Sequence, residues 1–94
     1  MNYFTVSHWE AEYWNEELEA ITREKFAPMV MSCGALAVNF VRTGEHTFTV
    51  ITSYSDESAA EIAMKKISDI RSEAANTLPV TMTSDVKGSV FVSL

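Results

Sequence analysis

An α+β fold, one antiparallel sheet backed by two helices, is predicted by three features of the sequence. Apolar residues alternate with period two in four separate stretches, the pattern of half-buried strands. Between the first and second stretches, and again between the third and fourth, they recur every three to four residues, as on a helix that buries one face. Length fits one such unit: 94 residues predict a single domain spanning 1–94, since domains commonly run to about 100–150 residues.

Residues 3–9, Y-F-T-V-S-H-W, open the chain as the first strand. From Ala11 the period changes, with Trp14, Leu18 and Ile21 on one side and glutamates crowding the first turns, where the helix dipole favours them. The first helix is expected over about Glu12 to Ser32. Pro28 has no N–H for the carbonyl of Glu24, so the helix should end near Phe26 or kink there, and Gly34 suits its C-terminal cap. Residues 35–42 and 46–54 alternate again around Thr43-Gly44-Glu45, a hairpin with the glycine such turns want. Asp56 or Ser55 then caps a second helix with an apolar stripe of Ala60, Ala63, Met64, Ile67, Ile70 and Ala74, ending before Pro79. Val80 to Ser84 is the fourth strand, Asp85–Gly88 a turn or bulge, and Ser89–Ser93 a last extended piece. The order β-α-β-β-α-β is the split βαβ pattern of ferredoxin-like domains.

Thirteen acidic against seven basic residues give a net charge of −6, which repels phosphate backbones and anionic lipid surfaces, so neither nucleic acid nor membrane is an expected partner. Cys33 is the only cysteine, which excludes an internal disulfide. No basic segment followed by an apolar one opens the sequence, and a cytoplasmic location is expected.

Alternation assigns Phe4, Val6, Leu36, Val38, Phe40, Phe48, Val50, Val80 and Met82 to the sheet face under the helices. The other face then collects Tyr3, Thr5, Ser7, Trp9, Ala37, Asn39, Val41, Thr47, Thr49, Ile51, Ser53, Thr81 and Thr83, without a charge among them. An uncharged face rich in hydroxyls suits cover by a second copy of the chain or by a ligand.

The element order, the helix-to-strand passage through Pro28, Gly34 and Ala35, and the step Y-S-D-E-S-A-A (54–60) into the second helix carry a resemblance. The whole chain resembles the dimeric α+β barrel superfamily, which includes antibiotic-biosynthesis monooxygenase-like domains. That resemblance implies a homodimer whose two sheets pack face to face, with a pocket between sheet and helices in each subunit and the apolar piece Val90–Leu94 pairing across the dimer. Haem-degrading members use a histidine on the second helix; none stands there in this sequence, so no haem or other cofactor is implied. Cofactor-free members rely on Asn, Trp and Arg, for which this chain offers Asn39, Trp9, Trp14 and Arg42.

Residue by residue, an imidazole is the side chain suited to move protons near neutral pH, which makes His8 the candidate acid–base group. Asn39 is the candidate for steadying a developing oxyanion. Trp9 and Trp14 would stack on a planar ligand, and the hydroxyls of Ser7, Thr49 and Thr83 complete the expected ligand-binding set. His8 and His46 have no partner at a metal-ligand spacing, so no metal is expected. The predicted function is binding, with cofactor-independent oxidation or isomerisation, of a small aromatic or carbonyl-bearing metabolite by a homodimer. The alternative is a non-enzymatic accessory domain whose neutral sheet face only packs against its twin.

Overall fold

The structure, a computed structural model, describes residues 2–94. Strand β1 (Tyr3–Ala11) leads through Asn15 into α1 (Glu16–Ile21), a π-helical segment (Thr22–Phe26) and α2 (Ala27–Met31). The hairpin β2 (Ala37–Arg42) and β3 (Thr47–Tyr54) follows, then α3 (Glu57–Thr77) and β4 (Val80–Ser89). The sheet is antiparallel in the order β2-β3-β1-β4, the ferredoxin-like arrangement.

Local chemistry sets the helix ends. The Asn15 side chain accepts from the Leu18 N–H at 2.8 Å, and the Asp56 carboxylate accepts from the Ala59 N–H at 2.8 Å. Each satisfies one donor that the first turn leaves without a partner. Asn15 is also why the first helix begins later than Glu12: β1 runs on to Ala11 before the cap. Gly34, at φ 98°, turns the chain out of α2 in a conformation that costs a residue with a Cβ.

Pro28 does not end the helix. Instead the backbone widens into one π turn, in which the Ala27 N–H reaches back five residues to the Thr22 carbonyl. Pro28 then falls in the first turn of α2, where a missing N–H costs nothing. The wider turn also resolves an oddity of the sequence. Leu18, Thr22, Phe26 and Val30 stand four apart, a spacing that drifts about 40° per step on an ideal α-helix. The π segment absorbs that drift, so that Leu18, Phe26 and Val30 are all buried.

Two corrections concern the sheet. In β1 the face under the helices is Tyr3, Thr5, Ser7, Trp9 and Ala11, the reverse of the assignment from alternation; Phe4, Val6 and His8 point to the open side. Both faces of this strand are apolar enough to be covered, so period alone does not choose between them. The larger aromatics Tyr3 and Trp9 go where the helices make the deeper core. The other strands follow their expected phase through the register Thr5↔Thr52, Ser7↔Val50, Trp9↔Phe48 and Val38↔Thr52. Leu36 precedes β2 and is 55% exposed, not core.

At the C-terminal end no turn forms over Asp85–Gly88. Those residues continue β4, paired with Phe4–Ser7 of β1, after a register shift opposite His8 and Trp9. Pairing to the central strand outweighs the local turn preference of Asp and Gly. Val90 donates its N–H to the Asn2 carbonyl at 2.9 Å, and residues 91–94 form no strand.

Asp56→Ala removes the α3 cap and should cost about 1 kcal/mol, lowering the melting temperature by roughly 4–8 °C. Asp56→Asn should restore most of it. Thermal unfolding followed by circular dichroism checks both.

Candidate functional site

The reversed phase of β1 creates a cavity between sheet and helices. Its floor carries Thr5, Ser7 and Trp9 from β1, Val50 and Thr52 from β3, Phe40 from β2 and Val80 from β4. Thr22 and Phe26 of the π segment, Val30 of α2 and Ile67, Ile70 and Arg71 of α3 close it from above. This inner cavity holds about 60 Å³, room for a few waters at roughly 10–15 Å³ each. Thr22, Phe40 and Phe48 are shared with an outer groove of about 440 Å³, whose other walls are Trp14, Leu18, Glu19, Arg23, Ala27 and Arg42. That volume falls in the ligand-sized range of about 300–1,000 Å³.

Three aromatic rings run from one space to the other. Trp9 stacks on Phe48 with centroids 5.8 Å apart and planes 9° from parallel, while Trp14 meets the same ring edge-on at 5.8 Å and 70°. Hydrogen bonds fix both indoles: Trp9 Nε1 donates to Ser7 Oγ at 2.8 Å, and Trp14 Nε1 donates to Glu19 Oε2 at 2.6 Å. The Arg42 guanidinium lies 4.4 Å over the Trp14 ring, tied to the carbonyls of Gly44 and Glu45 at 3.1 and 2.7 Å. Thr22 Oγ1 donates to the Leu18 carbonyl at 2.8 Å, which steadies the start of the π turn.

Arg71 is the cationic group of the inner cavity. It is mostly buried, with 18% of its side chain exposed, and its Nη1 lies 3.2 Å from Asp85 Oδ2 on β4. Tyr54, 2% exposed, sits beside it at the end of β3. Burial first, and the charge of a Cys33 thiolate second, push the Tyr54 phenol above its usual 10.0, against a smaller opposing pull from Arg71.

The seven residues expected to form the site divide. Ser7 and Trp9 line the inner cavity, and Trp14 lines the outer groove. His8 and Asn39 do not join them: β1 and β2 present them on the open face, with the sheet between them and the cavity. His8 Nδ1 and Thr49 Oγ1 share a hydrogen bond of 3.1 Å there, and Thr83 donates to the His8 carbonyl at 3.1 Å. His8, Thr49 and Thr83 thus lie across the sheet from Trp9 and Ser7, because a residue's immediate neighbours in a strand face away from it. Thr5, Phe40, Phe48, Thr52 and Arg71 are cavity residues that the sequence reading did not select. The four-residue run from Leu18 to Val30 was the available signal for Thr22 and Phe26. Among the described residues no group of three or more His, Cys, Asp or Glu is placed to hold a metal, and no helix is long and apolar enough to cross a membrane.

An antiparallel sheet in the order β2-β3-β1-β4 with its helices on one face is a ferredoxin-like fold. Among solved structures, the chain is similar to a point mutant of SnoaB, a cofactor-independent oxygenase from Streptomyces nogalater. The TM-score is 0.75 at 14% identity, over 99% of this chain and 96% of that one. It is also similar to a monooxygenase from the gene ActVA-Orf6 of Streptomyces coelicolor, solved with nanaomycin D, with TM-score 0.70, 9% identity and coverage of 99% and 90%. A dimeric ferredoxin-like protein from an uncultured marine organism gives 0.69, 14%, and 99% and 98%. No protein-family model matches the sequence, and a search of the curated proteins finds no match. At these identities the likeness is one of fold.

Because the folded state holds the Tyr54 proton more tightly than the unfolded chain does, stability should be unaffected below pH 10 and fall as the pH rises beyond it. Tyr54→Phe should flatten that loss. Melting temperatures of both proteins between pH 8 and pH 11 provide the comparison, and identical slopes would refute the assignment.

Proposed function

We propose that the protein binds a small planar aromatic metabolite in the outer groove, with one edge directed at the inner cavity the groove adjoins, as a homodimer joined through the open faces of its sheets. The observation that carries the binding reading is the wall from Trp14 through Phe48 to Trp9, continuous with the four hydroxyls of Thr5, Ser7, Thr22 and Thr52 and one guanidinium. Such walls desolvate and stack a ring, while a few polar groups orient it. Thr5, Ser7 and Thr52 supply neutral hydrogen-bonding groups to a carbonyl or hydroxyl on the ligand. Arg71 supplies positive charge to an oxygen that becomes negative during enolisation or oxidation. Proteins of this fold described as a cofactor-independent oxygenase and as a monooxygenase in complex with nanaomycin D support a small-molecule site in this fold.

For the dimer, the support is the open face. Phe4, Val6, Ile51, Val41 and Val86 give it apolar surface, and the only charged side chain on it is Glu10 at the end of β1. A face whose one charge among the described residues, Glu10, sits at its end lets two copies of a chain at −6 meet with little repulsion at the contact. A dimeric protein of the same fold is consistent with this.

Naphthols and naphthoquinones, used as neutral planar probes, should raise the melting temperature of the wild-type protein. A probe at a hundred times its Kd adds about 2.7 kcal/mol. Phe48→Ala should abolish the gain, and no shift with any probe would sink the binding reading. Sedimentation equilibrium at micromolar concentration should give twice 10.5 kDa. Val6→Glu should give a folded monomer, and a wild-type monomer would remove the dimer.

A further inference from the structure

Seven basic residues comprise three arginines (23, 42 and 71) and four lysines (25, 65, 66 and 87). All three arginines line the cavity or its groove, and no lysine does. They come from three elements: Arg23 from the π segment, Arg42 from the end of β2 and Arg71 from α3. The groove has one carboxylate, Glu19, whose Oε2 is occupied by the Trp14 indole N–H. On a chain of net charge −6 this is a local reversal of sign.

The three guanidinium groups are not equivalent. Arg71, at the inner end, is paired with Asp85, so an incoming anion gains little net charge there. The ion pairs among the described residues are Arg71–Asp85 and Lys25–Glu73, which leaves Arg23 and Arg42 without a carboxylate within 4.0 Å. Arg42 is held over the Trp14 ring by two carbonyls, which fix its position without cancelling its charge. A fixed guanidinium loses little freedom when it takes a carboxylate. The groove therefore has a charged outer end, an aromatic middle of Trp14, Phe40 and Phe48, and an electrically compensated inner end.

We propose that the outer groove is a subsite for the carboxylate of a planar aromatic acid, with Arg42 and Arg23 as its binding residues. The subsite sets the ligand's direction: the carboxylate stays at the outer end, and the neutral, oxygen-bearing end of the ring system points toward Ser7, Thr52 and Arg71. This rests on the cavity reading and narrows it to aromatic acids.

Isothermal titration of the full chain with 2-naphthoate and with its neutral counterpart 2-naphthamide tests the subsite. Wild type should bind the acid about tenfold more tightly, the scale of one charge-assisted contact pair, and the preference should shrink with added salt. The double variant Arg23→Gln/Arg42→Gln should lose the preference and bind the amide as wild type does. Lys65→Gln removes a charge outside the groove and should keep it. Arg23→Gln alone, which leaves the hairpin contacts of Arg42 intact, should show a partial loss. Equal affinity for acid and amide in wild type, or a preference that survives the double substitution, overturns the subsite while leaving the cavity reading in place. Failure of both probes to bind overturns the two together.

Discussion

The stack of Trp9 on Phe48, with the indole N–H given to Ser7, decides which side of the sheet the helices cover. An indole is the largest apolar side chain a strand can offer, and its N–H needs a partner once buried. Ser7 supplies that partner from the same face, two residues back. With Trp9 and Tyr3 turned toward the helices, Thr5 and Ser7 must lie between them, because side chains alternate strictly along a strand. Two small residues between two large ones cannot fill the space beneath the helices. The cavity is what remains, and its polar lining follows from the anchor that creates it.

The same alternation sends Phe4, Val6 and His8 to the open side. A shift of one residue in β1 would exchange the two sets, placing the imidazole in the cavity and the indole outside. Element order, the Asp56 cap and the hairpin were legible in the sequence because each depends on neighbours a few residues away: Asp56 with Ala59, Thr43 with Thr47. The phase of β1 was not, since both of its faces carry aromatic and branched residues and only the tertiary partner distinguishes them. For the candidate site, Ser7, Trp9 and Trp14 could be named from their clustering near the start of the first helix. His8 was misplaced by that one phase, whereas Asn39 lies on the open face to which alternation assigned it. Arg71 stood fifteen residues into a helix of ordinary composition, and its place in the cavity depends on how α3 lies over the sheet.

Pro28 shows how a local irregularity positions the site. On a regular α-helix the residue seven after Leu18 would be buried, and that residue is Lys25. The π turn moves the buried position to Phe26 and brings Thr22 into both the cavity and the groove. Lys25 is left half exposed, 3.1 Å from Glu73. A π turn inside a helix is often found where function needs a side chain re-aimed. Here it sets Phe26 over the sheet, and a proline that could not have stood four residues after a bonded carbonyl marks where the regular spacing resumes.

Because β1 and β3 are the central strands, each contributes to both sides of the sheet. Val50 is part of the cavity floor, while Thr49 and Ile51 on either side of it face outward. A second copy on the open face would therefore touch no residue that a ligand touches, though only one backbone thickness separates them. Assembly and ligand binding then answer to different substitutions at adjacent positions. They still share the backbone of the same two strands, so any change that bends β1 or β3 must be felt on both sides. Charge is distributed to match: most acidic residues on the helices and turns, an almost uncharged open face, and arginines around the groove. The composition that argued against phosphate and lipid surfaces describes the outside of the molecule. The groove, with Arg23 and Arg42 against Glu19, has the opposite sign.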